Sequence, residues 1–283
     1  MPNAFARYVA LGDSSTEGID DPDEASGYRG WSQRLAERIA ATAAAPGGLH
    51  YANLAVRSLT TAQVRARQLD AALAMRPDLA TVFCGTNDVT ALRFDAAAVA
   101  ADIAHVQRAL VARGATVLSF TLPDLTPLMP LARLIAPRIA ALNHALALAS
   151  RDTGSILVDF AAYPVATDAR LWSEDRIHAN SAGHARIAAA LAHALQLPES
   201  NSAWQQPFPK PLNPSRTRQF AAELRWTRRH LLPWLARGLL GRSTADGRSA
   251  KRPELTPINM PPVASPTVAP AAAKSHPRAR TSR

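Results

Sequence analysis

The 283-residue chain has one cysteine, Cys84, so no intrachain disulfide can form and nothing in its composition argues for an oxidising compartment. A lone cysteine, with no His/Cys/Asp spacing of the zinc-binding kind, gives no reason to expect a bound metal. No apolar run approaches the roughly 20 residues that a membrane-spanning helix needs. The first apolar stretch starts at about Arg7, which leaves no room for a charged and then apolar secretory leader, so a cytoplasmic location is expected. Aromatic residues are few, at 6%, yet hydrophobic residues make up 47%, enough for a sizeable core. Acidic charge is scarce at one end. Residues 204–283 carry 15 Lys and Arg against 3 Asp and Glu, a balance of +12, while the rest of the chain carries 17 against 19, a balance of −2. The net +10 therefore belongs to the C-terminal segment. No nucleic-acid-binding motif accompanies it, and no nucleic-acid partner is expected.

Short apolar runs alternate with amphipathic stretches. Strands are predicted at Tyr8–Leu11, Tyr51–Ala55, Leu79–Cys84, Thr116–Thr121 and Ile156–Phe160. Helices are predicted at Trp31–Ala44, Thr60–Arg76, Ala96–Arg113, Leu131–Arg151 and Ala182–Leu195. In the first helix Trp31, Leu35 and Ile39 share one face, and Arg34, Glu37 and Arg38 are expected to face water. This alternation predicts a parallel sheet with helices on both faces.

Four segments carry chemistry. Gly12-Asp13-Ser14 follows the first strand and ends it in a small-residue turn, which places the Ser14 hydroxyl at the C-terminal edge of the sheet. Gly-Asp-Ser is also an ordinary turn sequence, and Asp13 is expected to serve that turn. Asp175-Arg176-Ile177-His178 puts a carboxylate three residues before a histidine, close enough to fix its tautomer. Alone, such a pair is as readily a surface feature. Asn180 or Ser181 is the expected N-cap of the following helix. Asn87, in Gly85-Thr86-Asn87-Asp88, offers an amide to a developing oxyanion, or merely caps a turn. Asn53-Leu54-Ala55-Val56-Arg57-Ser58 ends near a backbone N–H, that of Ser58, able to do the same.

These four blocks, in this order, resemble those of the SGNH hydrolases of the GDSL esterase/lipase superfamily, over roughly residues 5–197. The resemblance implies a three-layer, flavodoxin-like α/β fold. It implies Ser14 as nucleophile, His178 as base and Asp175 as its orienter. It implies an oxyanion hole made by the Ser14 and Ser58 N–H groups and the Asn87 amide. The family's second block usually ends in glycine where this chain has Ser58; a backbone donor needs no particular side chain, although serine tolerates positive φ less well. The implied activity is hydrolysis of a small-molecule or lipid ester or thioester through an acyl-enzyme, with no cofactor. The rival reading is a protein that keeps the fold, has lost turnover and binds a membrane or partner.

Cys84, in an apolar strand, is expected to be buried and structural, and His184 to be a packing or surface residue. His105 is remote from every block. The acidic run 20–24 is either a solvated loop or a rim that repels anions, and the proline-rich loop Leu122–Pro130 either lines an acyl pocket or closes the core.

The organisation expected is a catalytic domain at 1–198, a Pro-rich linker at 199–215, a basic helical segment at 216–240 and a disordered tail at 241–283. Pro233 is expected to divide the helical segment into two kinked pieces. That segment docks on the domain through Trp226 and Trp234, lies on an anionic membrane surface, or meets another partner.

Overall fold

The run Tyr8–Leu11 is buried on both faces, as a strand at the centre of a parallel sheet must be. In the computed structural model, which describes residues 4–24, 27–42, 44–209, 216–233, 236, 245 and 247–258, this run lies in β1 (Arg7–Gly12). Around it pair β4 (His50–Asn53) on one side and β5 (Leu79–Phe83) on the other, then β6 (Thr116–Phe120) and β7 (Ile156–Val158), all parallel. A short hairpin of β2 (Pro22–Asp23) and β3 (Gly27–Tyr28) stands apart from this sheet. A sixth strand, β8 (Arg252–Pro257), pairs antiparallel with β4, giving the order β7-β6-β5-β1-β4-β8.

Two helix layers cover the sheet. Helix α2 (Gly30–Ala40) packs with α7 (Ser181–Ala194) on one face; α3 (Thr61–Ala74), α5 (Ala96–Val111) and α6 (Ala136–Thr153) cover the other. Two single-turn helices, α1 (Ser14–Glu17) and α4 (Thr86–Thr90), start at the ends of β1 and β5. Local chemistry sets several boundaries. Asp95 caps α5 by accepting from the N–H groups of Ala97 and Ala98, and Asn180 caps α7 by accepting from those of Ala182 and Gly183. Phe83 stacks on Phe120 at 3.6 Å, and Trp31 and Phe160 meet Phe120 edge-on, so the few aromatics concentrate in the core beneath the site. Cys84 is buried there, and burial raises its thiol pKa far above the ordinary value.

The three-layer α/β expectation holds, and four details are corrected. Arg34 does not simply face water: it forms a bidentate ion pair with Asp21, which is itself buried. The expected linker is tied to the domain over part of its length, with Trp204 buried against Phe160 and Tyr163 and Phe208 stacked under Arg170 and Arg186. The winding of α8 (Arg216–Trp226) changes to a π turn at Thr227–Leu231, upstream of Pro233. The looser turn relieves the clash that a proline ring makes with the carbonyl four residues back. Finally, the segment expected to be disordered contains β8. Its prolines are compatible with a strand only because it lies at a sheet edge. Trp234 and residues 259–283 lie outside the described residues.

Candidate active site

The strand order reverses at β1, whose two neighbours are β4 and β5; ligands bind at such switch points, beyond the carboxyl ends of the strands. Ser14 follows β1, Ser58 follows β4 and Asn87 follows β5, so the topology brings three of the four blocks to one edge. The fourth arrives on the loop before α7.

His178 Nε2 lies 2.9 Å from Ser14 Oγ, and His178 Nδ1 lies 2.6 Å from Asp175 Oδ2. The other carboxylate oxygen, Asp175 Oδ1, accepts from the Ser173 hydroxyl and from the backbone N–H groups of Ile177 and His178. Burial alone would raise the Asp175 pKa, but the hydrogen bonds and charge of His178, with the Ser173 hydroxyl, hold it well below the usual carboxylate range. Burial would likewise lower the His178 pKa; the Asp175 hydrogen bond and charge, then Asp20 and Asp13, outweigh it and raise it above 6.5.

Ser58 has φ +63°, the left-handed region where the family pattern has glycine. The Asn87 amide Nδ2 donates to Leu59 O at 3.0 Å and to Asp13 Oδ2 at 3.2 Å, so both its hydrogens are engaged. Asp13 is fully buried, caps α1 through the Ser15 N–H, and has its pKa pushed up to about 7 by burial. Asp88 accepts from the Thr61 backbone and hydroxyl at the start of α3.

Further residues support this edge, Gln68 among them without any signal in the sequence. Gln68, buried on α3, donates to Gly12 O and accepts from Gly12 N, completing the hydrogen bonding where β1 ends. Asn53, already noted in the second block, is buried and donates to Thr16 O, so it acts as a brace for α1. His184 is a packing residue: it is buried, accepts from Trp31 N and donates to Ile19 O, and burial drops its pKa to about 4. The acidic run divides. Asp21 is internal, whereas Asp20 is part-exposed and its Oδ2 lies 3.9 Å from His178 Nδ1. Asp20, Asp175 and His178 form the one group among the described residues with metal-ligand proximity, but a metal there would have to break the Asp175–His178 hydrogen bond. Trp226 on α8 donates to Asp175 O, and Arg176 pairs with Glu223 and lies over the Trp226 ring. Helix α8 thus docks against the His178 loop, while Phe220 and Leu224 remain exposed.

Beside Ser15 opens an apolar cavity of about 120 Å³, lined by Phe120, Leu125, Met129, Ile139, Phe160 and Trp204 among others. Leu122, Pro123, Leu125 and Met129 from the proline-rich loop form part of its wall.

A GDSL-like lipase/acylhydrolase family model matches residues 10–186. The chain belongs to that family, within the SGNH hydrolases. It is a hydrolase of the lipase/acylhydrolase kind. No curated protein matches the chain. Solved structures share its fold. One is a variant of an acetyl-xylooligosaccharide esterase from Geobacillus, with TM-score 0.58 and 17% identity over 71% of this chain and 99% of that one. Another is a lipase/acylhydrolase from Enterococcus faecalis, with TM-score 0.55 and 22% identity over 70% and 100%. A third is TesA, with TM-score 0.53 and 24% identity over 67% and 98%. Within the family frame, this chain's β8 and α8 both lie beyond the matched residues.

Proposed function

We propose that the protein is a serine esterase that cleaves carboxylic ester or thioester bonds through an acyl-enzyme on Ser14. The observation that carries this reading is the relay from Asp175 through His178 to Ser14, with both links at hydrogen-bond length. Ionised Asp175 accepts the Nδ1 proton, which leaves Nε2 of neutral His178 as an acceptor for the Ser14 proton. As Oγ attacks the acyl carbon, Nε2 takes the proton; the imidazolium then gives it to the departing alkoxide or thiolate. Water, activated by the same nitrogen, attacks the acyl carbon and releases the carboxylic acid.

The developing oxyanion is held by the Ser14 and Ser58 N–H groups and by the Asn87 amide. The longer of the two Asn87 contacts, to Asp13, is the one that yields to it. The positive φ of Ser58 supports its place in the hole, because the backbone there already adopts the glycine-type conformation. The apolar cavity suits the acyl side of the substrate, since its walls offer large aliphatic and aromatic surfaces.

The test is a kinetic panel of p-nitrophenyl esters and acyl-CoA thioesters of increasing chain length, with Ser14→Ala as control. The reading predicts saturable turnover that Ser14→Ala abolishes. A variant retaining a tenth of the wild-type kcat, on the order of what no triad serine tolerates, would make another residue the nucleophile.

A further inference from the structure

Lys251 immediately precedes β8, more than 230 residues from the turn that bears Ser14, yet its ammonium reaches the end of that turn. Nζ donates to three backbone carbonyls, those of Glu17 at 2.6 Å, Tyr28 at 2.5 Å and Arg29 at 3.2 Å. An ammonium has three N–H donors, so each carbonyl can take one. Among the described residues no carboxylate lies within ion-pair distance of it, so its partners are backbone atoms alone.

The position of those carbonyls matters. Glu17 ends α1, whose first residue is Ser14, and its carbonyl is one that a four-residue helix cannot satisfy internally. The next residue, Gly18, touches Gly30, the residue after Arg29. A Cβ on Gly18 would fall 2.6 Å from the Gly30 Cα, and one on Gly30 would fall 2.5 Å from the Gly18 Cα. Two backbones therefore cross with no side chains between them to fix their separation, and Lys251 ties the residues on both sides of the crossing. The tie extends to the oxyanion loop. The Glu17 carboxylate accepts from the Arg57 backbone N–H and from its guanidinium, and Arg57 precedes Ser58 and lies over the Tyr28 ring. Strand β8 is itself held by pairing with β4, by Ile258 N donating to Leu49 O and by Arg252 over Tyr51.

We infer that the C-terminal strand is a working part of the active site: Lys251 is a positioning residue that holds the Ser14 turn and the Arg57–Ser58 loop in register for attack and oxyanion binding. The inference rests on the reading of Ser14 as nucleophile. Displacing a reacting group by about 1 Å is enough to cost a factor of about 100, so losing a tie to Glu17, three residues from Ser14 and ion-paired to the residue before Ser58, should register in turnover.

The test uses the full chain and one soluble p-nitrophenyl ester. Lys251→Ala should lower kcat by about tenfold or more with KM within about twofold, and should slow fluorophosphonate labelling of Ser14 in parallel. n-Propylammonium, which replaces the three methylenes and the ammonium removed, should restore turnover; tetramethylammonium, which has no N–H, should not. Unchanged kcat, or a loss that n-propylammonium does not recover, would overturn the proposal. So would activity surviving in Ser14→Ala, which would overturn the Ser14 reading as well; an inactive Ser14→Ala beside a fully active Lys251→Ala would overturn the proposal alone.

If Lys251→Ala does not fold, the wild type still decides. Burial drops the Lys251 pKa to about 8, against the charges of Glu17, Asp21 and Asp23, which raise it, and with that of Arg252, which lowers it further. Deprotonation removes one of the three donors, so kcat should fall above about pH 8. The stability contribution of this lysine runs the other way. Because its folded pKa lies below the unfolded value, that contribution grows from pH 8 to full effect above about 10.5, so the fall would not be unfolding at this site. A kcat that stays flat across the pH range in which the Lys251 Nζ is seen to lose its proton by ¹⁵N NMR would overturn the proposal.

Discussion

Replacing Asp175 by asparagine tests the relay at its most constrained point. Asp175 Oδ1 already accepts three hydrogen bonds, from the Ser173 hydroxyl and the N–H groups of Ile177 and His178. In Asp175→Asn the amide oxygen must keep that place, because turning the NH2 towards two N–H groups would set donors against donors and forfeit about 1 kcal/mol or more for each bond lost. The introduced NH2 therefore faces His178 Nδ1, where Oδ2 stood at 2.6 Å. It donates to Nδ1 and forces the proton onto Nε2, the atom 2.9 Å from Ser14 Oγ, so the base arrives already protonated. The fold and the loop survive, but the base does not. Loss of the correct tautomer is worth about 10⁴ in kcat in the serine-protease template, or about 5 kcal/mol of transition-state stabilisation. The assay is kcat on a p-nitrophenyl ester, with the melting temperature as control for folding and the ¹⁵N shifts of His178 as direct report on the tautomer. A folded Asp175→Asn variant retaining a hundredth of wild-type kcat, on the order of 100 times the expected residue, would refute the reasoning.

Three further outcomes follow. Asp20→Asn removes a carboxylate 3.9 Å from His178 Nδ1 that helps raise its pKa; the acidic limb of kcat/KM, which requires neutral His178, should move to lower pH, and an unmoved limb would exclude Asp20 from the site's electrostatics. Asn87→Ala should lower kcat by about 100-fold with KM little changed, because its contact with the oxyanion strengthens in the transition state; a change confined to KM would place Asn87 in ground-state binding. Gly183→Ala would put a Cβ 2.2 Å from Leu171 O, so the 171–180 loop must shift; lower kcat with a lower melting temperature is expected, and an unchanged enzyme would show that this loop tolerates displacement.

The candidate site at this edge was legible because its parts are local. Ser14, Ser58 and Asn87 each follow an apolar run, and a strand that ends in a turn announces itself within about six residues. Asp175 and His178 lie within one loop. What escaped notice depends on distance or on weak local signals. Asp20 meets His178 from the far side of the sequence, and nothing in Asp20-Asp21 says that one is buried by Arg34 while the other faces the histidine. Gln68 reads as one more polar position on α3 until its amide is seen closing the end of β1. Strand β8 lies in a basic, proline-bearing segment, where composition argues for disorder. Its pairing with β4 closes a loop of some 200 residues, and only the free edge of β4 makes it possible.

The central claim is that Ser14 is an activated nucleophile. A fluorophosphonate probe forms a bond only to such a serine, and mass spectrometry of the digested full chain locates the adduct. The account predicts one adduct, on the peptide containing Ser14, lost in His178→Ala. An adduct on a different serine, or ester turnover without any adduct, would contradict it.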